Sequence, residues 1–199
     1  SGAGSGGENV GDAARKEKTE FEKLFDQWLN LPETVIGEIA DGELHVSPRP
    51  SPNHASANSV LGIEIGGPFH LGRGGPGGWW ILDEPKFHIV SIITVPDMTG
   101  WKRSRMPQLP IEPYFSLVPD WICEILSPST AVFDRVKKMP LYALQGVKHL
   151  WLVDVRVKTL EVYENQNGKW LLLRSYSSND MIRAVPFDLI EFNLASLWQ

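Results

Sequence analysis

Residues 119–142 read PDWICEILSPSTAVFDRVKKMPLY, a pattern typical of a strand that passes into a helix. Side chains from 119 to 126 alternate between two faces, and Glu124 shares a face with Ile122 and Leu126. Because most of this run is apolar, the pattern predicts a core strand. A buried glutamate is unfavourable unless a positive charge meets it. Glu124 is therefore a candidate functional carboxylate.

A second acid follows an apolar run upstream. Residues Ile92 to Val95 predict a strand, and Pro96-Asp97 comes directly after it. Two acids on neighbouring strands would form a cradle for a divalent metal, which prefers oxygen ligands. Asp97 also suits a turn cap after a proline, and both interpretations stay open at this point.

Several further motifs carry a resemblance to a known family. They are VPD at 95–97, PDWICEILSPST at 119–130, HLWLVD at 149–154, GEIADGEL at 37–44, SPRPSPNH at 47–54 and GGWWILDEP at 77–85. Together they resemble the Uma family of restriction-endonuclease-like proteins, over roughly residues 30–198. The resemblance implies the PD-(D/E)XK nuclease superfamily, with its mixed α/β core and metal-dependent phosphodiesterase site.

The resemblance also implies a metal site. Asp97 and Glu124, with the backbone carbonyl of Ile125, would hold Mg²⁺ or Mn²⁺ for phosphodiester hydrolysis. Glu38 is the expected auxiliary carboxylate, because the resembled family also has an acid in its first hairpin. The neighbouring acids at 83–84 compete with Glu38 for that role.

The catalytic lysine departs from the superfamily pattern. Its usual position, two residues after the strand acid, holds Leu126 in this chain. The resemblance implies that Lys138, on the following helix, orients the attacking water instead. Lys137 points about 100° away around that helix and is the weaker candidate. Without the resemblance, Asp134 and Lys138 would be interpreted as an exposed ion pair four residues apart.

The implied fold is restriction-endonuclease-like and of the α/β class, with a central mixed β-sheet flanked by helices. Local patterns predict an N-terminal helix at 17–30, a type I′ hairpin at Asp41-Gly42 and a helix starting at Ser51-Pro52. They also predict a glycine-rich loop at 66–78, strands at 79–82 and 87–95, a proline-punctuated connection at 98–118, a helix ending at Gly146 and a C-terminal β-meander over 148–173.

The length and composition of the chain predict its domain organisation and its cellular compartment. With 199 residues and 42% hydrophobic content, the chain predicts one domain at 17–199. Residues 1–16, rich in glycine and serine, are typical of a flexible leader or a remnant of an expression tag. The sequence shows no signal peptide and no apolar run of about 18 residues. Cys123 is the single cysteine, so a soluble protein of the reducing cytoplasm, without a membrane partner, is expected.

Nucleic acid is the expected partner, with DNA the expected form. A net charge of −5 excludes binding through bulk charge, so local clusters are needed. The best cluster is Trp101, Lys102, Arg103 and Arg105, although a solvated loop explains it equally well. His54 is a candidate for a phosphate contact or proton shuttle, and a helix-capping or core histidine is the alternative.

Three hypotheses for function remain. The first is a metal-dependent endonuclease, expected as a homodimer because related nucleases cleave two strands. The second is a nuclease-fold module that binds nucleic acid or protein without catalysis, which the leucine at 126 and the acidic net charge favour. The third is a glycosidase with two acids about 5–9.5 Å apart, which needs no metal.

Overall fold

The computed structural model describes residues 2–3 and 15–199, so the predicted leader lies almost entirely outside the described residues. The helical elements are α1 (Glu20–Leu29), α2 (Pro52–His70), α3 (Ala131–Phe133), a π-helical segment (Asp134–Lys138), α4 (Met139–Gln145) and a 3-10 helix (Leu194–Trp198). The strands are β1 (Val35–Ala40), β2 (Glu43–Pro48), β3 (Trp79–Asp83), β4 (Phe87–Ile89), β5 (Ile92–Thr94), β6 (Met98–Lys102), β7 (Trp121–Leu126), β8 (His149–Asp154), β9 (Thr159–Gln166), β10 (Lys169–Ser177), β11 (Met181–Ile182) and β12 (Phe192–Asn193). None of the helices in these described ranges is long and apolar enough to cross a membrane.

Two larger sheets organise the strands. The six-stranded sheet has the order β10-β9-β8-β7-β6-β3, and its β7–β8 pair is parallel whereas its other pairs are antiparallel. This arrangement confirms the predicted mixed sheet and the C-terminal meander of β8, β9 and β10. The second sheet has the order β2-β1-β5-β4 and contains the predicted hairpin.

Strand β7 lies in the middle of the core, as its alternation predicts. Trp121, Cys123 and Ile125 belong to the large apolar cluster that α2 covers. Ile122 and Leu126 belong to a smaller cluster beneath α4. Since side chains alternate along a strand, Glu124 projects toward the α4 side, where its burial has to be compensated by charge and hydrogen bonds.

The hairpin and the start of α2 form where the sequence signals predict them. Asp41 and Gly42 both have positive φ, at 53° and 72°, as a type I′ turn requires. The Ser51 hydroxyl accepts a hydrogen bond from the His54 N–H, and Pro52 occupies the first helical position. These local features place β1 and the N-terminus of α2 beside β7.

The helix after β7 contains a π-helical segment just before Pro140. A proline cannot donate to the carbonyl of the preceding turn, and its ring crowds that carbonyl. Here the Met139 N–H bonds to the carbonyl of Asp134, five residues back, so the helix widens by one residue. Asp134 and Lys138 are both buried on this segment, and Gly146 ends the helix in the left-handed conformation.

The predicted glycine-rich loop at 66–78 is wrong in its first part, because α2 continues to His70. Phe69 is buried and its ring centroid lies 4.7 Å from that of Phe187. This burial offsets the low helix propensity of the glycines and of Pro68. The loop begins only after Leu71.

The predicted connection at 98–118 is wrong over its first five residues, which form β6. Gly100 lets this strand approach Trp79 closely, since a Cβ atom there would lie 3.0 Å from the indole ring. Trp101 is therefore buried, donates to the carbonyl of Leu117 and stacks on Phe115 at 4.4 Å. The expectation that Trp101 contacts nucleic acid is wrong.

Candidate active site

The register between β6 and β7 brings the two predicted metal acids together. Met98 lies opposite Cys123, so the end of this ladder leaves Asp97 and Glu124, each one residue beyond it, next to each other in one pocket wall. Asp97 Oδ2 also accepts a hydrogen bond of 2.7 Å from the Ile125 N–H. The acids therefore converge on one side of the sheet.

Lys138 lies at the centre of a buried carboxylate cluster. Its Nζ is 2.7 Å from Glu38 Oε2, 2.9 Å from Glu124 Oε1 and 3.5 Å from Asp134 Oδ1. All four side chains are buried. An ammonium group has three N–H donors, and Glu38 and Glu124 lie close enough to accept two of them, whereas Asp134 is farther away. The Asp134–Lys138 pair is thus part of the buried site rather than an exposed helix pair.

Glu38 links the four-stranded sheet to the helical segment that carries Lys138. Its Oε2 accepts the 2.9 Å hydrogen bond of the Val95 N–H in addition to the Lys138 contact. On the other side, the Tyr142 hydroxyl donates to Glu124 Oε1 at 3.0 Å. These two contacts fix the positions of the Glu38 and Glu124 carboxylates.

His54 contacts two of the predicted metal ligands, Asp97 and the Ile125 carbonyl. Its Nε2 is 2.9 Å from the Ile125 carbonyl and 3.3 Å from Asp97 Oδ1. The residue is only 7% exposed, and its Nδ1 has no hydrogen-bond partner. The structure therefore places this histidine inside the carboxylate site.

These side chains border a pocket of about 310 Å³. Glu38, Asp97, Glu124 and Lys138 lie in its wall, together with the main chain at Ile125. Its lining also includes small hydroxyl side chains from β2 and from two loops, at Ser47, Ser51, Ser127, Ser129 and Thr130. A phosphate-sized group entering this pocket would reach the acids.

Burial and charge shift the pKa values of the site in definite directions. Burial raises the pKa of Glu124 well above its usual value, against the opposing charge of Lys138. Burial alone would lower the pKa of Lys138, but Glu124 and Glu38 raise it well above normal. For His54, burial also lowers the pKa, while the hydrogen bond and charge of Asp97 produce a net rise. Lys138 is consequently a permanent cation and a hydrogen-bond donor, not a base.

Asp134 makes stability depend on pH. Burial raises its pKa from 3.8 to about 6, despite the opposing charge of Lys138. A raised folded-state pKa stabilises the fold at low pH, and this contribution disappears as the pH rises through about 6. Asp134→Asn should therefore gain stability relative to the parent protein as the pH rises, by about 1.5 kcal/mol between pH 5 and pH 7.5. Urea unfolding at pH 5 and pH 7.5 measures the difference.

Asp41→Asn is the matched control for this prediction. Asp41 is an exposed carboxylate whose pKa is lowered by its hydrogen bond to Lys137. The titration of Asp41 lies below pH 3.8, so this variant should differ from the parent by the same amount at pH 5 and at pH 7.5. If Asp134→Asn showed the same difference from the parent at both pH values, the titration assigned to Asp134 would be wrong.

The donor set fits a hard divalent cation. Asp97 Oδ1 and the Ile125 carbonyl both lie within 3.3 Å of His54 Nε2, so the two oxygen atoms lie near each other in the pocket wall. Glu124 uses Oε1 for Lys138 and Tyr142, which leaves Oε2 for a further ligand. Across residues 2–3 and 15–199, no three His, Cys, Asp or Glu side chains are grouped as a metal centre. The candidate set instead combines two carboxylates with a backbone oxygen.

The predicted basic cluster does not face the pocket. Arg103 donates to the carbonyls of Trp79 and His70, and its guanidinium stacks over Trp80 at 4.0 Å. Arg105 pairs with Asp120 at 3.0 Å, and Lys102 lies near the Trp79 ring. Arg103 and Arg105 thus stabilise the folded structure around β6.

Other predicted site residues also lie elsewhere. Asp83 and Glu84 are exposed outside the pocket, so Glu38 is the acid that the structure brings to the site. Lys137 points outward and pairs with Asp41 at 2.7 Å. The sequence missed Asp134 as a site residue. The sequence shows that Asp134 lies four residues before Lys138, but it does not show the π-helical segment that turns both side chains inward.

Two comparisons connect this site to known proteins. The sequence model of the family described as "Uma2: Putative restriction endonuclease" matches residues 21–195. This chain belongs to the Uma2 family. It is also similar to the crystal structure of "a putative nuclease belonging to DUF820 from Anabaena variabilis", with 26% identity and a TM-score of 0.66. That match covers 87% of this chain and 96% of the other. No curated protein matches.

Membership of the Uma2 family confirms the resemblance that the sequence motifs suggested. The structural match confirms the restriction-endonuclease-like fold. Both findings support a nuclease function that acts on nucleic acid. Nucleases of this fold generally need divalent metals, which agrees with the oxygen-rich donor set of the pocket.

Proposed function

We propose that this chain is a metal-dependent nuclease that hydrolyses phosphodiester bonds, with its active centre at Asp97, Glu124 and Lys138. One observation carries the proposal. Asp97 and Glu124 line one pocket, and the Lys138 ammonium lies 2.9 Å from Glu124 in that pocket. Acids and an amine in this arrangement match what phosphodiester hydrolysis requires.

Asp97, Glu124 and the carbonyl of Ile125 would hold Mg²⁺ or Mn²⁺. A bound divalent ion supplies Lewis acidity, which lowers the pKa of a water and neutralises charge on the phosphate. The Ile125 N–H fixes the Asp97 carboxylate, and Tyr142 fixes that of Glu124. These bonds hold the ligand oxygens in place, as the partners of metal ligands generally do.

Lys138 would act as a fixed positive charge. Two of its N–H groups hold Glu38 and Glu124 at short distances. The third faces Asp134 at 3.5 Å, the longest of the three contacts, and is the donor available to the attacking water or the scissile phosphate. Glu38 then serves as a positioning residue that orients Lys138 and anchors the main chain at Val95.

Metal dependence is the direct test of this function. Purified protein should cleave DNA or RNA in Mg²⁺ or Mn²⁺, and chelation with EDTA should stop the reaction because the acids alone cannot neutralise the phosphate. Labelled strands resolved on denaturing gels give the rate. Glu124→Gln, purified in the same way, controls for contaminating nuclease.

The rival functions give different outcomes. A binding module would retain nucleic acid without cutting it in either metal and would give no calorimetric signal with Mn²⁺. A glycosidase would hydrolyse oligosaccharides in the presence of EDTA. Dimerisation, DNA as the preferred substrate and a cytoplasmic location stay predictions from the sequence.

A further inference from the structure

Asp97 lies on a short connection between the two larger sheets. Strand β5, which ends at Thr94, belongs to the four-stranded sheet, and β6, which begins at Met98, belongs to the six-stranded sheet. Residues 95–97 lie between these strands, and Pro96 has no N–H group to donate. The position of the Asp97 carboxylate therefore depends on the contacts that hold the main chain of this connection.

One of these contacts comes from helix α2. Asn58 Nδ2 donates a hydrogen bond of 3.0 Å to the Asp97 carbonyl. The Glu84 N–H, directly after β3, donates to the same carbonyl at 3.1 Å. A carbonyl oxygen has two lone pairs, so it can accept both hydrogen bonds at once. Asn58 thus ties the residue that carries a proposed metal ligand to the helix that covers the core.

The orientation of the Asn58 amide follows from its acceptor. A carbonyl oxygen only accepts hydrogen bonds, so the amide nitrogen has to face it and the amide oxygen points elsewhere. That oxygen, Oδ1, is buried and finds no hydrogen-bond partner within the described part of the chain. Leaving a buried acceptor unpaired is unfavourable. An apolar side chain of the same shape would avoid this cost, so the stability of the fold does not explain an asparagine at this position.

Asn58 acts on the site from outside the carboxylate pocket. It borders a separate depression of about 750 Å³, together with Gly62 and Met98, and does not line the pocket of the acids. His54, one helical turn earlier on the same face of α2, lies in that pocket with its Nε2 3.3 Å from Asp97 Oδ1. Two side chains of α2 therefore hold Asp97, one at its carboxylate and the other at its main chain.

We propose that Asn58 is a positioning residue of the nuclease site, which holds the Asp97 main chain where the carboxylate can bind the divalent metal. This inference rests on the proposed nuclease function and adds to it a residue that contacts neither metal nor substrate. Without the Asn58 donor, the bonds from the Glu84 and Ile125 N–H groups to Asp97 remain, so the connection would shift rather than unfold. The affinity for metal should therefore fall while the fold persists.

Asn58→Leu tests this role, because leucine has nearly the shape of asparagine but no donor. Calorimetric titration should show Mn²⁺ binding about 10–100-fold weaker than in the parent protein, the usual effect of removing an outer partner of a metal ligand. Stability to urea should be retained, because the substitution also removes the unpaired Oδ1. Raising the Mn²⁺ concentration above the weakened dissociation constant should restore most of the cleavage rate, since Asn58 does not touch the substrate.

Asn53→Leu makes the same chemical change on the exposed first turn of α2 and should leave Mn²⁺ binding and cleavage unchanged. If Asn58→Leu binds Mn²⁺ as tightly as Asn53→Leu, or unfolds at a lower urea concentration, the positioning role is overturned and the nuclease function stands. Cleavage by Asn58→Leu that excess Mn²⁺ fails to restore has the same meaning. If the parent protein itself binds no Mn²⁺ and cuts no nucleic acid, the nuclease function fails and the positioning role fails with it.

Discussion

Replacing Lys138 by methionine is expected to lower the free energy of unfolding by about 3–5 kcal/mol at pH 7. Methionine fills a similar volume but removes the charge that Glu38, Glu124 and Asp134 share. Buried carboxylates left without their cation either remain charged at high cost or take up protons. Urea unfolding measures the loss, which should shrink at pH 5 because the acids are then more easily protonated.

Lys137→Met is the matched control, since it makes the same chemical change one residue earlier. Lys137 pairs with Asp41 at the surface, where ion pairs contribute little, so no measurable change in stability is expected. A second variant tests the cause of the loss. Adding Glu124→Gln to Lys138→Met removes an uncompensated charge and should restore part of the stability. If both lysine variants unfold alike, the buried cluster does not contribute as described.

The strand that carries Glu124 was predictable because its signal is local. Alternation along β7 separated Trp121 and Cys123 from Ile122 and Leu126, and the two apolar clusters preserve that separation. The Asp41-Gly42 turn is equally local, because its chemistry requires positive φ at both residues. Where a few neighbouring residues determine a conformation, the sequence predicted it correctly.

Strand β6 was not predictable because its conformation is determined by distant partners. The stretch MTGWK contains a glycine and polar residues, so it lacks a strand pattern of its own. It becomes a strand because β3 and β7 pair with it on both sides. The same pairing buries Trp101, which the surrounding cations had marked as exposed.

In the candidate site too, local sequence identified some residues, whereas the position of another depends on contacts that are distant in sequence. The acids at 97 and 124 were found from their positions next to or within apolar runs, and Lys138 was found through the family resemblance. From the sequence alone, Asp134 was interpreted as part of an exposed ion pair, because an acid four residues before a lysine is common on exposed helices. Its burial depends on the π-helical segment and on the arrival of Glu38 from the hairpin, which no local pattern encodes.

Asp97→Asn is expected to reduce metal-dependent cleavage by more than about 100-fold, because changes to the outer partners of metal ligands already cost 10–100-fold. The substitution removes one negative charge and nearly no volume. The amide oxygen can still accept the hydrogen bond from the Ile125 N–H, so the β6–β7 junction should persist. Calorimetric titration with Mn²⁺ should show a matching loss of binding, while urea unfolding shows a folded protein.

Asp83→Asn makes the same chemical change at an exposed carboxylate on β3, the strand that pairs with β6 from its other edge. This control should bind Mn²⁺ and cleave like the parent protein, because its charge lies outside the pocket. The pair of variants thus separates a ligand role from a general effect of negative charge near the site. Normal Mn²⁺ binding by Asp97→Asn would mean that the metal is held elsewhere, and the convergence of residues 97 and 124 would then have a structural cause alone.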